Sequence, residues 1–418
     1  MEKLLRTVEK FIPKKLFRAA QPIYHYFLAI VGAIIYGFPA RKLFVIGITG
    51  TKGKSTTAEV INAILEEAGY KTALCNTIRH KIDKESVSNR FNMSMPGRFF
   101  IQNFLHRAVK AGCTHAVVEI TSEGSKQFRH KFVWLDVFVF TNIVPEHIES
   151  HGSYKKYKEA KLRIADLVKK KNGIIVANSD NDEAEDFLKK ANIEKQIKYS
   201  LSDAKPIVYG HETEMRFKRN ILYTKLPGEF NVYNILAAVT VADAMGIDIE
   251  IIKRAVENLV EIPGRVQKIK LGQNFDLIVD YAHTAASLEE LYKAFPGKNK
   301  ICVLGSSGGG RDRWKRPIMG KTAENYCSEI ILTNEDPYDE DPEQIVNEIK
   351  NGLTEKTAKV IMDRREAIKT AIKHAKNGDV ILITGKGTEP YLMEANNVKT
   401  PWSDYKVAKE ELEKILNK

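Results

Sequence analysis

Cysteine is scarce: four residues in 418, at positions 75, 113, 302 and 327. None forms a Cys-x-x-Cys pair, so neither a disulfide framework nor a zinc cage is expected, and the chain fits a reducing compartment. Long hydrophobic runs are also missing. The best candidate, Ile23 to Phe38, has about 16 residues against the ~20 of a membrane-spanning helix. No small-residue cleavage site follows it, which argues against a signal peptide. There is no low-complexity tract and no short repeat. Basic and aromatic residues do not interleave on any evident face, which argues against a nucleic-acid partner.

Acidic residues fall short of basic ones, leaving a net charge of +12. Half of that excess sits in residues 1–42, where eight Lys/Arg face two Glu. This arm flanks the apolar stretch, in which His25 is the only residue that ionises near neutral pH. The pattern predicts an interfacial or core-docking helix, with peripheral membrane contact through 1–42.

A chain of 418 residues predicts two or three domains with real cores. After residue 42, strand and helix patterns alternate. Expected helices are Ser55–Ala68, stopped by Gly69, and Val232–Met245, stopped by Gly246. Expected strands are Leu43–Ile46, Ala116–Ile120, Leu135–Phe140 and Gly173–Ala177. Polar residues collect just past the strands' C-terminal ends, the ligand edge of an open parallel sheet. Ile262-Pro-Gly-Arg265 breaks the pattern and marks a domain boundary. Strands Leu277–Asp280, Ile301–Leu304, Ile330–Thr333 and Val380–Thr384 follow, then a last helix near Asp404–Leu416. The division is an arm (1–42), a central domain (43–262) and a C-terminal domain (263–418).

Directly after the first strand stands Gly47-Ile-Thr-Gly-Thr-Lys-Gly-Lys-Ser-Thr56. A strand, a glycine-rich turn and a helix start expose backbone N–H groups to an anion. Lys54 adds a point charge, and the Ser55 and Thr56 hydroxyls can sit on Mg²⁺. The spacing departs from the strict P-loop, since Ile48 replaces the first glycine and the glycines fall at 47, 50 and 53. The segment still points to a nucleoside triphosphate.

Other candidates also follow strands. Glu119 is a capped structural acid or a metal ligand. His147 lies in Pro145-Glu-His-Ile-Glu-Ser-His151, where acids and histidines crowd; a solvated loop histidine is the alternative. Lys161 reads as one more helix-surface lysine. Gly305 to Pro317, with three glycines in a row and four basic residues, is a flexible cationic loop suited to phosphates or simply solvated. Asp280-Tyr-Ala-His283 could hold a ribose or cap a helix. Gly385-Lys-Gly-Thr-Glu389 is a third, weaker glycine loop.

Taken in order, these segments resemble the Mur ligase family of ATP-dependent amide-bond-forming enzymes, most of all its third-residue (MurE-type) branch. The matching segments are Gly47–Thr56, Phe140–Gly152 ("FTN…DHLD-HG"), Leu226–Ala238 ("PG-FN–N–AA") and Ile262–Arg265 ("PGR"). Asp280–Thr284, Lys315–Gly320, Asp363-Arg364 and Trp402–Asp404 match that branch in particular. The resemblance covers residues 43–418 and implies an α/β fold: a central P-loop-type ATPase domain with a parallel sheet plus a C-terminal Rossmann-like domain.

The resemblance further implies ATP and two Mg²⁺ ions as cofactors. Gly50, Thr51, Gly53, Lys54, Ser55 and Thr56 would hold the phosphates. Asn178, Asn234 and Asp280 would meet adenosine, and Arg265 and Lys315 the phosphates again. Ser55, Glu119, His147 and a carbamylated Lys161 would be metal ligands, with Lys54, Glu119, His147 and Lys161 catalytic. Ser94, Thr121, Ser122, Arg129, Asp336, Gly385 and Glu389 would bind substrate, with Glu389 able to bind an incoming amino group.

The implied partners are a small molecule with a free carboxylate and an amino acid, for a monomeric cytoplasmic ligase in peptidoglycan synthesis. Another acceptor, a folate or poly-amino acid, remains an alternative, as does a nucleotide-binding membrane scaffold without turnover. Three departures stand out. The family's UDP-sugar-binding N-terminal domain is expected to be missing or replaced by the 42-residue arm. The family "SSHAL" reads Thr121-Ser-Glu-Gly-Ser125, and "DNPR" reads Glu335-Asp-Pro-Tyr338, losing its Arg.

Overall fold

The computed structural model describes residues 14–91, 93–146, 148–210 and 212–417, and of residues 14–20 and 148 the backbone only. Eight strands form the first sheet: β1 (Phe44–Thr49), β2 (Thr72–Cys75), β3 (Arg79–Ile82), β4 (Glu85–Ser88), β5 (His115–Glu119), β6 (Val137–Phe140), β7 (Ile174–Asn178) and β8 (Lys195–Tyr199). Their order is β4-β3-β2-β5-β1-β6-β7-β8. The run β2-β5-β1-β6-β7-β8 pairs in parallel, and the edge pairs β2–β3 and β3–β4 are antiparallel. Chain order reverses beside β1, between β5 and β6, which makes this the switch point where such sheets hold ligands.

β1 reads as a continuous apolar run because both its faces are covered. Ile46 and Ile48 join one core with the helices Lys54–Glu67 and Glu229–Ala244. Val45 joins the other, with helix Arg98–Lys110 and helix Tyr154–Lys169. A small antiparallel sheet of β9 (Val208–Tyr209), β10 (Thr213–Phe217) and β11 (Asn220–Thr224) leads into Glu229–Ala244.

The second sheet contains β12 (Gln267–Ile269), β13 (Asp276–Val279), β14 (Lys300–Leu304), β15 (Glu329–Leu332), β16 (Lys359–Val360) and β17 (Val380–Ile383). Its order is β12-β13-β17-β14-β15-β16, parallel except for the β12 edge. Apolar side chains cover both faces. The expected strands and helices are present with ends shifted by at most three residues, and the last helix spans Asp404–Leu416.

One expectation is overturned. Cys302 and Cys327 form a disulfide, with Cα atoms 6.1 Å apart. Their sequence separation of 25 carried no sign of it. The pairing is tertiary: Cys302 lies on β14, and Cys327 ends helix Lys315–Tyr326 as the chain turns back to pair Ser328 N–H with the Lys300 carbonyl at 2.9 Å. Cys75 and Cys113 are free and buried.

The arm supplies helix Lys14–Ile35, which docks through Ala29 and Ala33. Gly32 packs against Phe99 of helix Arg98–Lys110, where an added Cβ would lie at ordinary contact distance, 3.6 Å. Among the described residues, no helix is long and apolar enough to cross a membrane.

Candidate active site

The turn after β1 is held open by its neighbours. Thr51 N–H donates to the Asn142 carbonyl at 2.8 Å, and Lys52 N–H to Asn142 Oδ1 at 2.9 Å. A Cβ on Gly50 would meet Thr141 Oγ1 at 1.9 Å. Gly53 has φ +81° and a Cβ there would fall 2.1 Å from Asn234 Oδ1, so this position needs glycine twice over. Gly53 caps helix Lys54–Glu67 with no side-chain hydrogen bond. The first-turn N–H groups therefore face outward, unpaired within the helix and suited to an anion.

Lys54, Ser55 and Glu119 converge at this turn. Ser55 Oγ donates to Glu119 Oε2 at 2.8 Å, and Lys54 Nζ lies 3.8 Å from Glu119 Oε1. Thr77 donates to the same carboxylate from its N–H (3.0 Å) and hydroxyl (2.9 Å), and Ser94 Oγ at 3.1 Å. Burial pushes Glu119 upward, but Lys54, the Thr77 N–H and the two hydroxyls outweigh it and hold the carboxyl below its usual range. Lys54 is lowered, chiefly by desolvation. A buried, ionised carboxylate beside a hydroxyl is the hard-oxygen donor set that Mg²⁺ takes, so these residues fit that ion.

Lys161 is not on the surface. It is 2% exposed, its Nζ donates to the Gly50 carbonyl at 2.6 Å, and it lies 4.9 Å from the Tyr157 ring centroid. Desolvation, then Lys54, push its amine well below the ordinary lysine range. As an ammonium it offers no lone pair to a metal. His147 lies outside the described residues.

Asn178 and Asn234 are close to the turn but engaged: Asn178 Nδ2 donates to the Thr141 carbonyl at 2.9 Å, and Asn234 Nδ2 to Asn231 Oδ1 at 3.2 Å. Thr56 is buried in the helix's first turn. Thr121 caps the short helix Ser122–Lys126. Arg129 is tied to the Met95 carbonyl and to Gln127. Glu123, where the family has His, faces His151 Nε2 at 3.2 Å.

The second sheet adds a polar cluster at its own strand ends. Arg265 lies 4.4 Å over the Tyr281 ring, and Asp280 accepts from the N–H groups of Val266 and Ala282 at 2.7 Å each. Lys315 Nζ donates to the His283 carbonyl at 3.1 Å. Lys386 is fully buried between Asp336 and Glu389, 2.7 Å from each. A Cβ at Gly385 would strike Glu335 Oε2 at 2.1 Å. Glu149 N–H donates to Asp312 Oδ1 at 3.1 Å, bringing the Gly305–Pro317 loop to the segment after His147.

Two residues were missed by sequence reasoning. Glu146 is the acid whose charge reaches Lys52, Lys54, Lys161 and Lys315 together. Arg311 faces Tyr281, Glu389, Tyr338 and Asp336, yet no ion pair within 4 Å holds it among the described residues. Both sat in segments flagged by composition, but nothing local separated them from their charged neighbours.

Residues 48–242 match the model of the Mur ligase middle domain, and residues 264–387 that of the Mur ligase glutamate ligase domain. The chain belongs to the Mur ligase family. It is similar to the UDP-N-acetylmuramoyl-L-alanyl-D-glutamate–2,6-diaminopimelate ligase of Syntrophomonas wolfei, 35% identical over 92% of this chain and 81% of that protein. It is also similar to the UDP-N-acetylmuramyl-tripeptide synthetase of Roseiflexus, 32% identical over 93% and 82%. A solved 2,6-diaminopimelate ligase of this kind superposes with a TM-score of 0.61, at 30% identity, over 90% of this chain and 79% of that one. This Mur ligase is thus an ATP- and Mg²⁺-dependent enzyme that forms amide bonds.

Proposed function

We propose that this Mur ligase adds an amino acid to a muramyl-peptide acceptor, the substrate class named for its relatives. The observation that carries the reading is the convergence of Lys54 and Ser55 on the buried Glu119 at the switch point of the first sheet. A carboxylate is a poor electrophile. The first-turn N–H groups and Lys54 would hold the terminal phosphoryl while an acceptor carboxylate oxygen attacks it in line, giving an acyl phosphate and ADP. The amino group of the second substrate then attacks the acyl carbon; the C–O bond to phosphate breaks and the amine loses its proton.

Two Mg²⁺ ions, when bound, would neutralise the charge that builds up during transfer. Ser55 and Glu119 would hold one ion, and His147 with carbamylated Lys161 the other. Carbamylation suits a buried amine kept neutral: the nitrogen adds to CO₂ and releases one proton, turning a cation into a carboxylate-like ligand. Gly50, Thr51, Gly53 and Thr56 would cradle phosphates, with Asn178, Asn234 and Asp280 toward adenosine and Arg265 and Lys315 reaching across. Ser94, Thr121, Ser122 and Arg129 would meet the acceptor.

For the incoming amino acid, Asp336, Gly385 and Glu389 would form the pocket, with Arg311 as the cation for its carboxylate. Tyr338 provides no second cation for a distal carboxylate. The Ile262–Arg265 turn, with Gly264 at φ +63°, supports a boundary between the two α/β units at 262/263. One chain supplies all these groups, which supports a monomer, working in the cytoplasm where ATP is available.

The test is isotopic. With ¹⁸O in the acceptor carboxylate, the reading predicts one ¹⁸O in the released phosphate; phosphate without label would refute the acyl phosphate.

A further inference from the structure

The arm helix Lys14–Ile35 uses one side to dock and leaves the opposite side bare. Ala29 and Ala33, four residues apart, are buried, and Tyr26 packs edge-on against Phe128 at 6.1 Å. His25 meets Arg98 on this same inner side. The outer side carries Ile23, Phe27 and Ile34, at 74%, 60% and 59% exposure. Spacings of four and seven put these three on one face of a helix. Ile35 and Tyr24 widen the strip, and residues 23–35 contain no Asp, Glu, Lys or Arg. A contiguous exposed apolar strip of this kind marks an interaction surface.

Charge identifies the occupant. Residues 1–18 hold six Lys/Arg (Lys3, Arg6, Lys10, Lys14, Lys15 and Arg18) against Glu2 and Glu9. At the helix's other end Arg41 and Lys42 are exposed. An apolar strip bracketed by basic residues matches an anionic bilayer surface: side chains enter the acyl boundary while the cations meet headgroup phosphates. No described helix is long and apolar enough to cross a membrane, so the contact is peripheral. We infer that residues 1–42 seat this ligase on an anionic lipid surface through the Ile23–Phe27–Ile34 face.

The test is flotation of the full-length protein with phosphatidylcholine vesicles, with and without phosphatidylglycerol. The protein is expected to float with the anionic vesicles, to bind neutral ones about tenfold more weakly or less, and to release as salt rises. The double variant Phe27→Ser/Ile34→Ser is expected to lose binding about tenfold or more while ATP turnover and melting temperature stay unchanged. No flotation with either vesicle, or flotation unaffected by the double variant, would overturn the inference. Sedimentation supplies a further check. A dimer of the parent protein that the variant dissolves would mean that a second copy covers the face, and the inference fails.

Discussion

Lys161 Nζ lies 2.6 Å from the carbonyl oxygen of Gly50, inside the glycine turn and away from water. Burial and the nearby Lys54 both favour the neutral amine, the form that can add CO₂. Lys161→Ala is expected to lower amide synthesis on the order of 100-fold, as loss of a preorganised electrostatic group does. Lys161→Arg should fare no better, since a guanidinium stays charged. Added acetate should partly restore Lys161→Ala but not the parent. Steady-state rates with and without acetate check this; no rescue at any concentration would count against the carbamate.

Gly53 tolerates no side chain, because φ is +81° and Asn234 Oδ1 occupies the place of a Cβ. Gly53→Ala should therefore shift the turn by a fraction of an ångström or more. Displacement on that scale costs about 100-fold in rate, and the left-handed backbone adds roughly 1–2 kcal/mol of destabilisation. Gly69 also has positive φ but nothing lies within 4 Å of its Cβ position. Gly69→Ala should show the backbone cost alone, with ATP kinetics unchanged.

Arg364 and Asp404 form a buried two-pronged pair at 2.8 and 2.7 Å, with Arg364 also donating to the Thr384 carbonyl and Trp402 Nε1 to Asp404. These were separate motifs in the sequence; in the fold they clamp the last helix to β17. Asp404→Ala strands a buried guanidinium and should cost roughly 3–5 kcal/mol. Urea unfolding followed by circular dichroism measures it.

Acid sensitivity has an identifiable contributor. Desolvation, reinforced by Lys131, pushes His130 down to about 3, whereas the unfolded chain binds its proton near 6.5. Between those values the unfolded state holds more protons, so stability falls as pH drops from about 6.5 to about 3 and the loss is complete below that. The full effect is at most about 5 kcal/mol. His130→Phe should flatten the stability slope across that window. An unchanged slope would show that other groups set it.

Much of the fold was readable because both sheets are buried on two faces, so their strands stand out as short apolar runs such as Val137–Phe140 and Val380–Ile383. The edge strands were not. β3 and β4, Arg79–Ile82 and Glu85–Ser88, are polar and partly exposed, and their strand character comes from pairing, β3 with β2 and β4 with β3, rather than from composition. The phosphate turn was legible because glycine, Lys54 and Ser55 are adjacent in sequence. Lys161 was not, since its burial depends on the turn more than 100 residues earlier, and Arg311 is set apart only by the loops that converge on it. The Cys302–Cys327 bridge was invisible for the same reason.

The account rests on phosphoryl transfer to a carboxylate at the Lys54–Ser55–Glu119 cluster. The most direct test supplies the purified protein with ATP, Mg²⁺, a UDP-muramoyl dipeptide and a panel of amino acids, and counts phosphate released per amide formed. One phosphate per amide, only with acceptor and amino acid both present and abolished in Lys54→Ala, is the predicted result. Phosphate release that ignores the acceptor, or amide formed without ATP, would contradict it.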